Sequence, residues 1–556
     1  MRVLNKDLET AIADSPYPSG SLTGPETEYP MLTAFSWLSL AHITLATPAL
    51  PVEAATAPPQ LAQAQQYAEV IRQQPIRPLP GQLDSVPVFN SNSPELVQRE
   101  GILLSTFPAE GMGNPEAHLD FPFEGRFDIF AHHVARGLTH EDRRTLFMGT
   151  VVYNPTNRPI TLRVLQGVSY LSQEAPFNAL PPYVLNPYGQ VFAGPGSRTA
   201  TDILQGRNQN QWPESVEIPP QQAYLLMNAP IPLRRLPFPV DATLPPGSVL
   251  PLASVRETGI FIASAEALRA NLPSVAPDRP LPSNGRSALL YMESSGPVYV
   301  ANMAMYAPRT NRGEERAPTL REWLNMLVNQ GVAGPRDLPP SDPSTYRTGR
   351  FFYGRVAGVA QGSKWTARVT EGPNANHLTI PNPGQGFSYV LSTVDRNTLG
   401  TGQVQSAEML VRYPDTAYRA HGNYGIHYQV SMPLKNPTDV EQTVVVKLQT
   451  PLQDEALTEG LRFRQPPEDR IFFRGTVRIR HVGNLLGRRR NRYIHVVQRR
   501  GQEGEPLVQV RIPPQADSLV EVDLIYPPDA TPPQVLTVKT LGGTELAGVT
   551  VPAEAD

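Results

Sequence analysis

Three histidines lie close together in one charged segment of the chain. His132 and His133 are adjacent, and His140 follows with Glu141 and Asp142. Imidazole and carboxylate groups are common zinc ligands, so this segment could bind a metal ion. Adjacent residues of a strand point to opposite faces, so His132 and His133 cannot chelate one ion together. The alternative is a hydrogen-bonded turn or loop cluster, and no other cofactor is predicted.

A second segment, from Tyr418 to Tyr428, reads YRAHGNYGIHY and mixes histidines with tyrosines. Its candidate ligand-binding residues are His421, Tyr424 and His427. Two glycines allow close backbone approach, and the rings could form a stacking platform for a sugar or another planar ligand. The alternative is a tight bend whose aromatic residues belong to the core.

Three further aromatic residues, Tyr183, Tyr188 and Phe192, lie in a Pro- and Gly-rich stretch from Pro181 to Gly196. Aromatic rings on such an irregular loop are typical of a carbohydrate cleft. They are equally typical of a loop that is packed onto a β-sandwich. The sequence leaves both interpretations open.

Arginines are concentrated between positions 474 and 500. The candidate binding residues among them are Arg488, Arg489, Arg490 and Arg492. Guanidinium groups match the geometry of carboxylate, sulfate and phosphate, so an acidic polysaccharide or a lipid headgroup is a reasonable partner. The alternative is the solvated end of a hairpin.

Sequence signatures of catalysis are missing. The chain has no Gly-x-Ser-x-Gly, no His-Glu-x-x-His, no phosphate-binding Gly-rich loop and no EF-hand loop. The paired carboxylates of a glycosidase have no fixed spacing, so they leave no signature. No catalytic residue is therefore named, and whether the chain is an enzyme stays open.

Composition restricts the class of protein that carries these residues. The 556 residues include 61 prolines and no cysteine, which excludes disulfides and cysteine-ligated metal sites. Proline removes an N–H and fixes φ, so long helices and central parallel strands cannot dominate. The net charge of −3 argues against a nucleic-acid partner. Many short strands joined by turns are expected.

The N-terminal region has features of a leader. Residues 31–50 are apolar and uncharged, and small residues at Ala55 and Ala57 suit a signal-peptidase site. We therefore expect residues 1–57 to be a leader and the protein to be exported. A disordered extension on a cytosolic protein is the alternative. No other segment is long and apolar enough to span a membrane, so no transmembrane span is expected in the mature chain.

Two motifs recur in the same order along the chain. An Asn-Pro-Thr turn between alternating strands begins at Asn154 and again at Asn436. Ile-Pro-Pro-Gln follows later in each copy, at Ile218 and Ile512. The recurrence predicts an all-β fold of two related β-sandwich domains, Ig-like or jelly-roll-like, with one helix between them.

The predicted helix covers Thr319–Asn329, where Thr319 and Glu322 have the spacing of a capping box. We expect Trp323 to anchor this helix at the domain interface, and packing on just one sandwich is the alternative. The predicted division is a linker with a possible short helix at 58–79, domain one at 80–308, a helical connector at 309–345 and domain two at 346–556.

Five blocks of the sequence resemble a family of exported cyanobacterial proteins classed as a domain of unknown function. They are GRFDIFAHH (125–133), AGPGSR (193–198), ERAPTL (315–320), YGRVAGVA (353–360) and DTAYRAHGNYG (415–425). The resemblance implies a cyanobacterial source and a location in the periplasm or outer envelope. It implies no activity and no site residues.

The first functional expectation is a non-enzymatic cell-envelope protein that binds polysaccharide or another envelope component. The second is a carbohydrate-active hydrolase or lyase on a β-sandwich scaffold. The third is a structural subunit of a surface assembly. The ligand, the oligomeric state and the cleavage site are not determined by the sequence.

Overall fold

The computed structural model describes residues 67–172, 177–234, 242–250, 280–346, 348–454, 460–482 and 489–546. In these ranges the chain is mostly β-strand, which confirms the predicted all-β class. The predicted leader and residues 58–66 of the predicted linker lie outside the described residues.

The strands, in chain order, are β1 (Ala68–Arg72), β2 (Ile76–Arg77), β3 (Gln82–Leu83), β4 (Pro87–Ser91), β5 (Leu96–Val97), β6 (Gly101–Ser105), β7 (Phe123–Arg136), β8 (Thr145–Tyr153), β9 (Ile160–Leu171), β10 (Tyr183–Leu185), β11 (Ser215–Ile218), β12 (Ala223–Pro232), β13 (Ser283–Tyr306), β14 (Ala357–Gln361), β15 (Lys364–Arg368), β16 (Leu378–Thr379), β17 (Gly386–Leu391), β18 (Ala407–Arg412), β19 (Arg419–Ala420), β20 (His427–Lys435), β21 (Gln442–Gln449), β22 (Leu461–Gln465), β23 (Ile471–Val482), β24 (Arg489–Arg499), β25 (Pro506–Ile512), β26 (Asp517–Ile525) and β27 (Gln534–Thr540). The α-helices are α1 (Ser197–Leu204), α2 (Leu320–Asn329) and the single turn α3 (Gly543–Leu546), and 3-10 turns lie at Pro115–Ala117 and Pro343–Thr345.

The sheets combine strands from both halves of the chain, where the first half contains β1–β13 and the second half contains β14–β27. A twelve-stranded sheet has the order β11-β9-β13-β7-β4-β14-β18-β19, with β5, β6, β8 and β12 attached. An eight-stranded sheet has the order β10-β24-β23-β26-β20-β15-β3, with β16 beside β20. A five-stranded sheet has the order β2-β17-β27-β21-β25, and β1 pairs with β22. Strands therefore cross the predicted domain boundary, and the division into two domains stays a prediction.

The repeated motifs form matching corners. The Asn154 carboxamide donates to the Ile218 and Pro219 carbonyls, each at 3.0 Å, and the Thr156 hydroxyl donates to Asn154 Oδ1 at 2.7 Å. In the second copy, Asn436 donates to the Ile512 and Pro513 carbonyls at 2.9 and 3.0 Å, and the Thr438 hydroxyl donates to Asn436 Oδ1 at 2.7 Å. Both asparagines are fully buried. The two copies are therefore structurally equivalent here.

The strands beside the corners are paired in the same register in both copies. Tyr153 pairs with Ala223 in β8 and β12, and Lys435 pairs with Asp517 in β20 and β26. Strand β9 lies between β11 and β13, as β21 lies between β25 and β27. The internal repeat therefore extends from the corners to five strands in each half.

Helix α2 has the predicted capping box, in which Thr319 and Glu322 bond each other's backbone N–H. Trp323 is fully buried among first-half residues, including Phe147, Val151 and Met303, and its indole donates to Asn228 at 3.1 Å. A Cβ on Gly149 would lie 2.4 Å from the Trp323 ring, so glycine makes room for the indole. The expected position at a domain interface is not found, because the apolar stripe of α2 is covered by the first half.

The described part of the predicted linker contains strands where a short helix seemed possible. Strand β1 pairs with β22, and ion pairs between Arg72 and Glu503 and between Arg462 and Glu69 lie beside this pairing. Cross-strand hydrogen bonds and ion pairs thus outweigh the weak helical preference of the Gln/Ala composition. None of the helices in the described ranges has the length and apolar character needed to cross a bilayer.

Candidate functional site

A cleft of about 210 Å³ opens where the two halves of the chain meet. Its walls are Asn90, Asn92, Tyr353, Gly354, Arg355, Val356, Val394, Asn397, Ala420, His421, Gly422, Asn423, Tyr424, Gln453, Thr531 and Pro532. Two sequence-predicted candidates, His421 and Tyr424, lie in it. No aspartate or glutamate is among these lining residues of the described chain.

Strand pairing across the two halves positions one wall. Strand β4 runs beside β14, with Asn90 opposite Gly358, and the Asn92 N–H donates to the Val356 carbonyl at 2.9 Å. Residues two apart along a strand lie on the same face, so Asn90 and Asn92 both reach the cleft. A first-half segment thereby contributes to a site whose other walls come from the second half.

A tight turn between β19 and β20 positions the opposite wall. Asn423 has a positive φ of 52°, and Gly425 has a φ of 84° at the end of the turn. A Cβ on Gly422 would lie 2.6 Å from the Tyr424 ring, so glycine lets this ring fold back over the turn. The predicted tight bend and the predicted ring cluster are therefore the same structure.

His421 is held on two sides. Its ring stacks on Tyr353 with centroids 3.9 Å apart and an angle of 17°. Its Nε2 donates to Asp395 Oδ2 at 2.7 Å, and Asp395 Oδ1 accepts from Arg419 at 2.7 Å. Burial opposes ionisation of Asp395, but the bond from His421 and the charge of Arg419 outweigh it and lower the pKa of this carboxyl.

Four cleft residues have a side-chain polar atom without a hydrogen-bond partner in the described ranges. The atoms are Asn90 Oδ1, Asn92 Oδ1, His421 Nδ1 and Asn423 Oδ1, and all four side chains are at least nine-tenths buried. Buried polar atoms in native proteins nearly always have a partner. Four of the residues that line this cleft therefore carry a buried polar atom for which the described chain supplies no partner.

The charge at one end of the cleft is balanced. Arg355 forms an ion pair with Glu95, and its Nε lies 3.6 Å from Asp337. Burial raises the pKa of Glu95, despite the neighbouring Arg355 charge. Arg355 is therefore already neutralised by the protein.

The histidine segment does not form a metal site. His132 bonds Ser287 at 2.8 Å, while His133 bonds Ser91 and the Pro94 carbonyl, each at 2.8 Å. No group of three or more histidine, aspartate or glutamate side chains in the described chain could hold a metal ion. As the strand period predicts, His132 and His133 have different partners, and the described chain brings neither of them together with His140 or a carboxylate as a group of three ligands.

The remaining predicted residues lie outside the cleft. His427 is 3.6 Å from Asp523 in a buried charge cluster. The Tyr183 ring lies beneath Arg492, and Phe192 beneath Arg198, at 5.8 and 5.3 Å from the guanidinium carbons. Tyr188 is 71% exposed.

The predicted arginine hairpin is only partly described. Arg488 lies outside the described residues, and Arg489 and Arg490 belong to β24. Several neighbouring arginines form ion pairs: Arg474 with Asp529, Arg478 with Asp523 and Arg480 with Glu521. Much of the positive charge in this region is therefore compensated by β26 and the segment that follows it.

The cleft residues that sequence reasoning missed are chiefly Asn90, Asn92, Tyr353 and Gln453. Asparagine and glutamine have no diagnostic spacing, and no local pattern brings position 90 next to position 421. Tyr353 does lie in the block YGRVAGVA, which is one of the five that carry the family resemblance.

The fold and the cleft together define an all-β protein with a polar cleft that is partly lined by aromatic residues. The model of the family described as "Protein of unknown function (DUF3370)" matches residues 74–540, so the chain belongs to the DUF3370 family. No curated protein matches the sequence.

Solved structures show only faint likeness. An 11S globulin from Wrightia tinctoria is 12% identical over 80% of this chain and 84% of its own, with a TM-score of 0.10. The coconut allergen cocosin is 8% identical over 81% and 86%, with a TM-score of 0.09. Recombinant pro-11S globulin of pumpkin is 9% identical over 81% and 86%, with a TM-score of 0.08. Such scores carry no argument about this chain.

Proposed function

We propose that this protein binds a hydroxyl-rich ligand, one unit of a polysaccharide, in the cleft between Asn92 and His421. The observation that carries the proposal is that four residues lining the cleft each have a buried polar atom without a partner in the described chain. Sugar hydroxyls are donors that can satisfy carboxamide oxygens and an imidazole nitrogen. The volume of about 210 Å³ suits a single unit better than a long chain.

The aromatic residues and the charge balance narrow the ligand class. Tyr353 and Tyr424 offer apolar ring surface beside polar groups, a combination common in ligand sites. Arg355 is committed to Glu95 and Asp337, so the cleft has no uncompensated cation for a carboxylate or sulfate among its lining residues. We therefore expect a neutral sugar here, and an acidic polysaccharide would have to bind elsewhere, such as the β23–β24 hairpin.

The compartment belongs to the same proposal. An apolar stretch at 31–50, followed by small residues at Ala55 and Ala57, is the support for export to the periplasm or outer envelope. Together with the cyanobacterial source that the sequence blocks imply, it makes envelope polysaccharide the proposed partner.

A glycan-array experiment with the full chain tests the proposal. We expect binding to neutral glycans that falls several-fold in Asn92→Ala, since a lost hydrogen bond costs about 0.5–1.5 kcal/mol. We expect a comparable loss in Tyr353→Ala, because this substitution removes apolar ring surface from the cleft. Tyr188→Ala and Asn325→Ala are matched controls, because both residues are exposed and neither lines the cleft.

Each other outcome has a definite meaning. Loss of binding in Tyr188→Ala, with Tyr353→Ala unaffected, would move the site to the 181–196 loop and contradict the proposal. Binding to acidic glycans alone, with an affinity that decreases as salt is added, would favour the β23–β24 hairpin as the binding site instead.

A further inference from the structure

We propose that Glu95 determines which sugars the cleft accepts, because it holds the Arg355 guanidinium away from any anionic group of a ligand. With the Glu95 charge in place the cleft takes neutral sugar units, and without that charge it takes sulfated ones as well. This inference rests on the proposed function, since it takes a sugar as the ligand. It adds a residue that determines specificity through its contact with Arg355.

Arg355 is the one lysine or arginine among the lining residues of the described chain. Its side chain is 39% exposed, so solvent reaches it. Burial raises the pKa of Tyr424 to about 12 against the opposing charge of Arg355, which means that the guanidinium lies near this ring of the cleft lining. A guanidinium in such a position is a suitable partner for a sulfate or carboxylate group.

Two carboxylates compensate this guanidinium. Arg355 Nη2 pairs with Glu95, and Arg355 Nε lies 3.6 Å from Asp337 Oδ1. Asp337 Oδ2 also accepts from the Ser93 hydroxyl at 2.8 Å and from the Glu95 N–H at 3.2 Å. Asp337 therefore fixes the loop that carries Glu95, whereas the Glu95 carboxylate acts on Arg355. This makes Glu95 the residue whose charge can be removed with the least change to the backbone.

The charge at this end of the cleft is negative when Glu95 is ionised, because one guanidinium then faces two carboxylates. His132 Nε2 lies 3.9 Å from Glu95 Oε1, but burial lowers the pKa of His132 to about 3, so the imidazole is neutral and compensates nothing. The nearby carboxylate of Asp529 is paired with Arg474. An anionic ligand would therefore meet an excess negative charge, which disfavours its binding.

Removal of the Glu95 charge would reverse this preference. Arg355 would keep the longer contact to Asp337, and its Nη2 hydrogens could donate to a sulfate oxygen. Binding of a neutral sugar should change little, because its hydroxyls carry no net charge. The inference thus predicts a change in specificity and no general loss of binding.

Glycan-array binding of the full chain to neutral glycans and to their sulfated counterparts tests the inference. We expect Glu95→Gln to strengthen binding to sulfated glycans about fivefold, the upper value for a part-exposed ion pair, and to leave binding to neutral glycans unchanged. Glu293→Gln is the matched control, because Glu293 pairs with exposed Arg163 at 2.6 Å and neither residue lines the cleft. Equal binding of sulfated glycans by wild type and Glu95→Gln would overturn the inference.

Asn92→Ala in the Glu95→Gln background tests whether the gain arises in the cleft. The double variant should bind sulfated glycans several-fold more weakly than Glu95→Gln, because it lacks a carboxamide of the cleft lining. A gain that survives in the double variant, or that Glu293→Gln reproduces, would assign it to another surface or to net charge and contradict the role of Glu95.

Acidification provides a second measurement, on the wild-type chain. Burial raises the pKa of Glu95, the Arg355 charge opposes this, and the neighbouring carboxylates of Asp337 and Asp529 add to it. A proton on Glu95 removes its charge as the pH falls toward this raised pKa, whereas a sulfate ester stays ionised. Wild-type binding to sulfated glycans should therefore increase on acidification more than that of Glu95→Gln, and parallel pH profiles would contradict the inference.

Binding to neutral glycans on the same arrays separates this inference from the proposed function. If neutral binding depends on Asn92 and Tyr353 while Glu95→Gln gains nothing on sulfated glycans, the proposed function stands and the specificity inference fails. If neutral glycans do not bind, or bind independently of Asn92 and Tyr353, the sugar site itself is wrong.

Discussion

Several buried histidines of this protein are neutral in the folded state. Burial lowers the pKa of His132 to about 3 and those of His118, His133 and His495 to about 4. Neither ring nitrogen of His495 has a partner in the described chain. In the unfolded chain each imidazole regains a pKa near 6.5 and binds a proton below that pH. These histidines therefore make the fold sensitive to acid.

We predict that the free energy of unfolding falls as pH decreases from about 6.5 to about 4. The pKa of each buried histidine is lower in the folded state than in the unfolded chain, so its contribution to stability is fully present above about pH 6.5. Below that pH the free energy of unfolding falls by up to about 1.4 kcal/mol per pH unit for each such histidine. Asp128 opposes the trend below about 6, because burial raises its pKa to about 6. Urea unfolding at several pH values measures the slope.

His495→Gln provides the matched test of this pH dependence. Removing one histidine with a lowered pKa should reduce the slope of the free energy of unfolding against pH by about 1.4 kcal/mol per pH unit. His377→Gln should leave this slope unchanged, because His377 is exposed. Identical slopes for wild type and His495→Gln would contradict the account.

At the residue scale, the sequence identifies only part of the cleft. His421 and Tyr424 are recognisable because rings and glycines cluster within one short segment. Asn90 and Asn92 are not, since their role depends on β4 pairing with β14, more than 250 residues away in the chain. Adjacent His132 and His133 were correctly assigned different surroundings, because the period of a strand is two.

At the element scale, the repeated corners organise the fold. In each copy, one asparagine satisfies carbonyls at the end of a second strand that lies far away in sequence. A buried side chain thereby joins the Asn-Pro-Thr turn to the Ile-Pro-Pro-Gln turn in each copy. The corner fixes where β8 ends and where β12 begins, and likewise β20 and β26.

We predict that Asn154→Ala and Asn436→Ala each lower the free energy of unfolding by at least about 2 kcal/mol. Each substitution leaves several buried carbonyls without their donor. Chemical denaturation compares them with Asn325→Ala, an exposed helical residue that should change stability by no more than about 0.5 kcal/mol. A large effect at one corner and none at the other would contradict their equivalence.

The elements were predictable where local chemistry decides them. The capping box of α2, the Asn-Pro-Thr turns and the alternating strands all follow from spacing. The position of α2 was not predictable, because an apolar stripe does not say which surface covers it. Strand β1 was missed because its residues are mostly exposed and its stability comes from pairing with β22.

At the scale of the whole molecule, the two halves are interleaved. Strand β14 lies between β4 and β18, β3 pairs with β15, and β10 pairs with β24. One core cluster includes first-half Phe130, Tyr170 and Leu289 together with second-half Tyr428 and Phe473. The duplicated sequence is thus visible in the corners, while the folded body depends on contacts between the copies.

We predict that neither half folds alone. A fragment of residues 67–345 exposes the edge of β4, and a fragment of residues 346–556 lacks the strands that cover β15 and β24. Both should be insoluble or lack dispersed amide signals in nuclear magnetic resonance spectra, and mixing them during refolding should restore the native spectrum. Independent folding of either fragment would support separable domains and contradict the interleaving.

The cleft is formed where the two halves of the chain meet. Identifying the molecule that binds there tests the proposed function most directly. The decisive measurement is a crystal structure of the chain with the best-binding neutral sugar from the glycan array. The account predicts sugar density in the cleft, with hydroxyls within hydrogen-bond distance of the Asn92 carboxamide and His421 Nδ1. Density at the 181–196 loop or the β23–β24 hairpin, with the cleft unoccupied by sugar, would contradict it.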